Sequence, residues 1–182
     1  MVIRDLDPIS QRECLARDLE MLAKKPQSFV GMLYDVTVFL NRHLRHNLEC
    51  RAVLFLTDRK AVGLRLTETQ GHFSRDFLAE EAFVPFGRCL CGKAAQTGQV
   101  LICKNCMEDP RHETRWYGMD AHGHYVIPLL LNGAVLGVMT FYTHEGVEDD
   151  EQDRSLLACV GLQAGKGLYE FLQERYSNHA SL

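Results

Sequence analysis

HGHYVIPLLLNGAVLGVMTFYTH, residues 122–144, is the stretch on which the fold turns. Two apolar runs flank Asn132-Gly133, the dipeptide that a two-residue type I′ turn prefers, so the stretch reads as an antiparallel hairpin. Its first strand opens with His122 and His124, and strand alternation places residues two apart on the same sheet face. Two imidazoles so placed can share one ion.

Immediately upstream the ligand-type residues crowd. Residues 87–130 hold four of the seven cysteines (Cys89, Cys91, Cys103, Cys106) and three of the eight histidines (His112, His122, His124). Thiolate and imidazole suit zinc, iron and copper, whereas harder ions take carboxylates. Leu90 to Ala95 open a short helix that Gly98 ends. Cys89 and Cys91 stand at its N-terminus, where the dipole favours a thiolate. QVLICKN (99–105) reads as a strand and MEDPRHETRWYGMDA (107–121) as a polar loop. Cys103-Lys104-Asn105-Cys106 is a C-x-x-C at a strand end, but no second C-x-x-C or H-x₃-H completes a zinc site. Cys106, at the loop mouth, is the expected site residue, and Cys103 alternates into the core. The candidate metal ligands are therefore Cys89, Cys91, Cys106, His112, His122 and His124. They allow a mixed Cys/His mononuclear site or a cysteine-rich iron–sulfur cluster. Arg111, Trp116 and Tyr117 lie between them as a candidate ligand-binding lid, with Arg111 offering a charged donor to a bound anion or diatomic molecule.

The rest of the chain supplies a scaffold. Asp7-Pro8 is a helix start, and Leu15, Leu19 and Leu22 follow at helical spacing to the Lys24-Lys25-Pro26 break. Phe29, Leu33, Val36, Leu40 and Leu44 make the stripe of a second helix, with His43 and His46 expected as solvated cations at its C-terminal pole. CRAVLFLTD (50–58) and AVGLRLTET (61–69) alternate as a hairpin, residues 70–81 are irregular or briefly helical, and AFVPF (82–86) is a short strand. Asp149 and Asp150 cap a long final helix with Leu157, Val160, Ala164, Leu168 and Phe171 as the seam of a two-stranded coiled coil or the stripe of a core-facing helix; its turns from Gln173 onward are expected to fray. Cys14, Cys50 and Cys159 sit in periodic apolar patterns and are expected in the core.

Helices, then short antiparallel strands, then a closing helix describe an α+β domain with helices on one sheet face. The expected divisions are an N-terminal helix over 1–27, a sensor domain over 28–172 and a helix tail over 173–182. A chain of 182 residues with a formal charge of -4 has no basic field, so nucleic acid is not an expected partner. No apolar run reaches the roughly 20 residues that cross a bilayer, and no signal-peptide core is present, which points away from a membrane and to the cytoplasm. Thiols stay reduced there, so seven cysteines point to ligands or buried thiols rather than a disulfide framework.

Several motifs in this order resemble the GAF family of small-molecule sensor domains. Residues 86–95 followed by Gly98 are similar to its glycine-led helix segment, and Asp109-Pro110-Arg111 to its frequent "DPR". Val126-Ile127-Pro128-Leu129, the Asn132-Gly133 turn and Leu136-Gly137-Val138 are similar to its "vPL…g…lGVL" hairpin, and residues 149–157 to the start of its C-terminal helix. The resemblance implies a six-stranded antiparallel sheet, N- and C-terminal helices packed on one face, and a ligand pocket under loops on the other. It also implies a homodimer through the terminal helices that signals to a kinase, cyclase or transcription module.

A narrower resemblance is to the nitric-oxide-responsive transcription activators of that family, which bind mononuclear non-haem iron through "HxC" and an upstream "DPYD". His122 stands at their His position, His124 at their Cys position, and His112 at that of the last Asp. The implied function is a metal-dependent sensor of a small or gaseous effector or of redox state, with iron favoured over zinc. One alternative is a metal-free module binding an organic ligand, although the Asn-Lys…Phe…Asp constellation of cyclic-nucleotide binders is absent. Another is a free-methionine sulfoxide reductase, whose "VCG" Leu90-Cys91-Gly92 resembles. The expectation is a non-enzymatic sensor.

Overall fold

The computed structural model describes residues 7–44, 48–115 and 119–179. Two helices lead. α1 (Pro8–Leu22) starts with Asp7 accepting from the backbone N–H groups of Ile9 and Ser10, and α2 (Phe29–His43) starts with Ser28 accepting from Gly31. There follow β1 (Leu48–Thr57), β2 (Gly63–Gln70), the short α3 (Arg75–Glu80), β3 (Phe83–Pro85), α4 (Cys89–Thr97), β4 (Leu101–Cys103), β5 (Gly123–Leu131), β6 (Ala134–Thr143) and α5 (Glu151–His179). The strands form one six-stranded sheet in the order β3-β2-β1-β6-β5-β4, antiparallel at every pairing. At the β5–β6 turn Asn132 and Gly133 have φ of 50° and 81°, the two left-handed residues that a type I′ turn requires.

Strand alternation divides the core in two. Tyr125, Ile127 and Leu129 of β5 join Met139 and Phe141 of β6 and the stripe Leu33, Val36 and Leu40 of α2 in a cluster on the helix face. Each such fully buried apolar side chain contributes about 1.5–3 kcal/mol. Val126, Val138, Val53 and Phe55 point to the opposite face, where they pack with Phe77, Leu90, Ala94, Cys103 and Cys106. α5 lies directly on β5: a Cβ at Gly161 or Gly165 would come within 2.3 Å of the carbonyl oxygens of Pro128 and Leu130. The glycines let the helix approach the strand to backbone contact.

Three expectations are corrected. Cys50 and Cys159 are exposed and Cys14 is half-buried, whereas Cys89, Cys91, Cys103 and Cys106 are the buried cysteines. His43 is not a solvated cation: its Nε2 sits 3.0 Å from Asp18 of α1, with a side chain 6% exposed, and its ring packs 4.5 Å from that of Phe39. His46 lies outside the described residues. The last helix does not fray at Gln173 but continues to His179. Among the described residues no helix is long and apolar enough to cross a membrane.

Candidate metal centre

Gly123, the first residue of β5, has no room for a side chain. A Cβ would lie 2.4 Å from Thr143 Oγ1 and 2.9 Å from the Cys103 carbonyl oxygen, so a histidine on each side of a glycine is what the packing allows. His124 is on the pocket face, paired across the sheet with Cys103 of β4 and Tyr142 of β6. His122 precedes the strand and its carbonyl accepts from the backbone N–H of Cys106 at 2.8 Å, which brings the Cys106 loop against it.

Ligand atoms of Cys106, His122 and His124 consequently lie within 4.8 Å of one another, and all three residues are buried. Cys106 Sγ is 3.3 Å from His122 Nδ1. That nitrogen also lies 2.7 Å from the Asp120 carbonyl oxygen, to which it donates when it carries the proton, leaving the Nε2 lone pair available. A backbone carbonyl that fixes the tautomer in this way is the usual support behind a metal-bound imidazole. His112 stacks on His124 with ring centroids 5.1 Å apart and 14° between planes.

The clearest anomaly is His124. It is 3% exposed, and among the described residues neither of its ring nitrogens has a hydrogen-bond partner; His112 Nδ1 is likewise buried and without a partner among them. Buried polar atoms without partners are rare because each costs about 1–3 kcal/mol. An ion would remove that cost, and one thiol with two or three imidazoles fits zinc, iron or copper better than magnesium or calcium.

Burial also tunes the donors. It drives the His124 imidazole far below its ordinary pKa, with His122 and His112 adding like-charge repulsion. Burial lowers His112 to about 4 and His122 in the same direction. The imidazoles are therefore neutral at pH 7, the form that binds metal. Burial raises the Cys106 thiol above its usual value, so metal uptake there releases a proton.

The structure brings three of the six candidate ligands together and His112 beside them. Cys89 and Cys91 are not in that triad; they line a cavity of about 20 Å³ that His112 and His124 also line. Their position at the start of α4 does not yield the expected thiolate at Cys91, because burial outweighs the helix dipole and pushes that thiol far up. Cys91 Sγ instead lies 3.2 Å from Thr140 Oγ1. Cys103, expected in a different environment from Cys106, shares its cluster, and burial raises its thiol to about 12. Arg111 is engaged elsewhere: its Nε and one Nη bind the Asp109 carboxylate at 2.9 and 2.6 Å, and it donates to the Ile102 carbonyl at 2.8 Å, bracing the loop. The guanidinium holds Asp109 down at about 2. Trp116 and Tyr117 lie outside the described residues.

Glu81, Thr140 and Tyr142 also line the cavity, and sequence reasoning missed them. Thr140 and Tyr142 were detectable as polar residues alternating along an apolar strand; Glu81, buried at the end of α3, carried no local signal.

A small, mostly apolar cavity on the sheet face opposite the terminal helices is the architecture of a small-molecule sensor type of α+β domain. Residues 39–168 match the GAF domain family, and the chain belongs to it. No curated protein matches in sequence. Solved structures agree on the fold. The GAF domain from a phosphoenolpyruvate-protein phosphotransferase of Coxiella burnetii superposes with a TM-score of 0.68 at 17% identity, covering 89% of this chain and 96% of that one. Free methionine-R-sulfoxide reductase from Neisseria meningitidis, in complex with its substrate, gives 0.64 at 21% identity, covering 90% of each chain. Reduced fRMsr of Staphylococcus aureus gives 0.60 at 18% identity, covering 86% of this chain and 94% of that one. These matches correct the expectation of a non-enzymatic chain: reductases share the architecture, so the fold supplies no ground for setting catalysis aside.

Proposed function

We propose that this chain is a GAF sensor domain whose effector site is a mononuclear transition-metal centre on Cys106, His122 and His124, with His112 as the adjoining donor. The observation that carries the reading is His124, buried in a group of soft and borderline ligands with both ring nitrogens unpartnered. Only one of the grouped ligands is a thiol, which favours a single ion over an iron–sulfur cluster. Iron is preferred to zinc, because three protein ligands beside a cavity leave a position at which a redox-active ion can take a small effector. When bound, the ion supplies that open coordination position; the chain holds it, excludes water and keeps its imidazoles neutral.

β5 connects the site to the terminal helices, carrying His124 on one face and α5 on the other. Leu162, Tyr169 and Tyr176 are exposed and recur every seven residues along α5, the spacing of a seam with a second copy that would pass the signal to an output module.

The test is anaerobic purification, elemental analysis and titration with iron(II), cobalt(II) and zinc(II). One ion per chain is expected, lost in Cys106→Ala and retained in Cys103→Ala. A chain that takes up no ion, or a Cys106→Ala variant at full occupancy, overturns the reading. A second reading, thiol-dependent reduction of free methionine sulfoxide, draws on the likeness to the reductase structures. It requires a reactive low-pKa thiol, whereas burial raises Cys91, Cys103 and Cys106. Turnover of that substrate with a dithiol reductant would establish it.

A further inference from the structure

The inner cavity is not sealed by the sheet alone. Outside it lies a cleft of about 240 Å³ whose wall includes Glu80, Arg88, Glu113 and Thr114. Glu81 and Cys89 line both spaces, so these two side chains form the partition between the outer cleft and the cavity that His112 and His124 face. Both are buried, each 8% exposed. Thr114, two residues beyond His112, lines the outer cleft together with Glu81, so the end of α3 lies beside the loop that carries that histidine. Cys89 has φ of 50°, an uncommon conformation for a residue with a side chain, of the kind that surroundings must hold in place.

We propose that the effector reaches the centre through this cleft, past Glu81 and Cys89, and that the route selects a small uncharged molecule of diatomic size over anions and larger ligands. The inference rests on the metal-centre reading and deepens it.

Two observations set the selection. The first is size: about 20 Å³ beside His124 accommodates one water-sized particle, not an organic ring. The second is charge. In the cleft Arg88 is occupied by Glu113, with its Nε 2.6 Å from the carboxylate, and Lys93 takes the other oxygen of Glu113 at 2.5 Å. Glu80 and Glu81 remain along the path; burial raises the Glu81 carboxyl above its ordinary pKa, and in its ionised form a carboxylate in a narrow, poorly solvated passage repels an incoming anion more strongly than it would in water.

The test uses the full chain loaded anaerobically with iron(II), its metal content confirmed before any ligand is added. Visible absorption is followed against nitric oxide as the neutral diatomic probe, azide as the anion and imidazole as the oversized neutral ligand. Nitric oxide is expected to bind at least a hundredfold more tightly than azide or imidazole. Glu81→Gln, close to isosteric, is expected to strengthen azide binding about tenfold while leaving nitric oxide within about twofold. Cys89→Leu is expected to slow nitric oxide association at least tenfold in stopped flow, at unchanged metal content. Azide affinity equal to that of nitric oxide in the unaltered chain, or unchanged by Glu81→Gln, overturns the charge selection. An association rate unaffected by Cys89→Leu overturns the route. A chain without metal overturns the metal centre and this inference together, and is distinguished by the elemental analysis made first.

Discussion

Replacing His124 by leucine should stabilise the metal-free protein while abolishing its response to metal. His124 buries two ring nitrogens without partners, and each such atom costs about 1–3 kcal/mol. Leucine has similar bulk and no polar atoms, so that cost disappears. Against it stand the ring contacts to His112 at 5.1 Å, to Tyr142 at 4.7 Å and to His122 at 4.6 Å, each worth about 0.5–1.5 kcal/mol. The net is a gain of about 1 kcal/mol, or a rise in Tm of about 2–4 °C for a chain of this size. With metal the order reverses. An ion at a thousand times its Kd adds about 4 kcal/mol to the unaltered protein, about 8–16 °C in Tm, and nothing to a variant that cannot bind it. Thermal melts with chelator and with iron(II) or cobalt(II) read both effects. A His124→Leu protein that melts below the unaltered chain in chelator, and still gains stability with metal, would refute the argument. The imidazole would then be held by something other than an ion.

Two further expectations concern the scaffold. His112 is held at about 4 against an unperturbed 6.5. Between those values the unfolded chain binds a proton that the folded chain refuses, so stability is fully present above pH 6.5 and falls as pH drops toward 4. The loss reaches at most about 3 kcal/mol, and denaturant midpoints at several pH values should show it, with a shallower slope in His112→Phe. Gly165→Ala places a Cβ 2.3 Å from the Leu130 carbonyl. Forcing α5 off β5 should cost about 1–3 kcal/mol, which a lowered denaturation midpoint at unchanged metal content would confirm.

Local chemistry made most of the architecture legible. The Asn132-Gly133 turn, the alternation on either side of it, the Asp7 cap and the α2 stripe are short-range constraints, satisfied by neighbours within a few residues; each appears where the pattern placed it. The site was legible in part. His122 and His124 are two residues apart, so the backbone alone brings them near one another. Cys106 joins them through a backbone hydrogen bond across a long loop, which spacing could only hint at.

Depth was not legible. Cys14, Cys50 and Cys159 have the same apolar chemistry and periodic settings as residues that are buried, yet Cys50 and Cys159 are exposed and Cys14 is only half-buried. Glu81 looks like any surface glutamate until α3 turns it inward. By itself the sequence determined which elements form and which residues are able to bind an ion, because turn chemistry, periodicity and ligand type are properties of neighbouring residues. Which of those ligands meet, and which acid and thiol stand in front of them, only the tertiary structure decided: burial and convergence arise from segments distant in the chain packing on one sheet face.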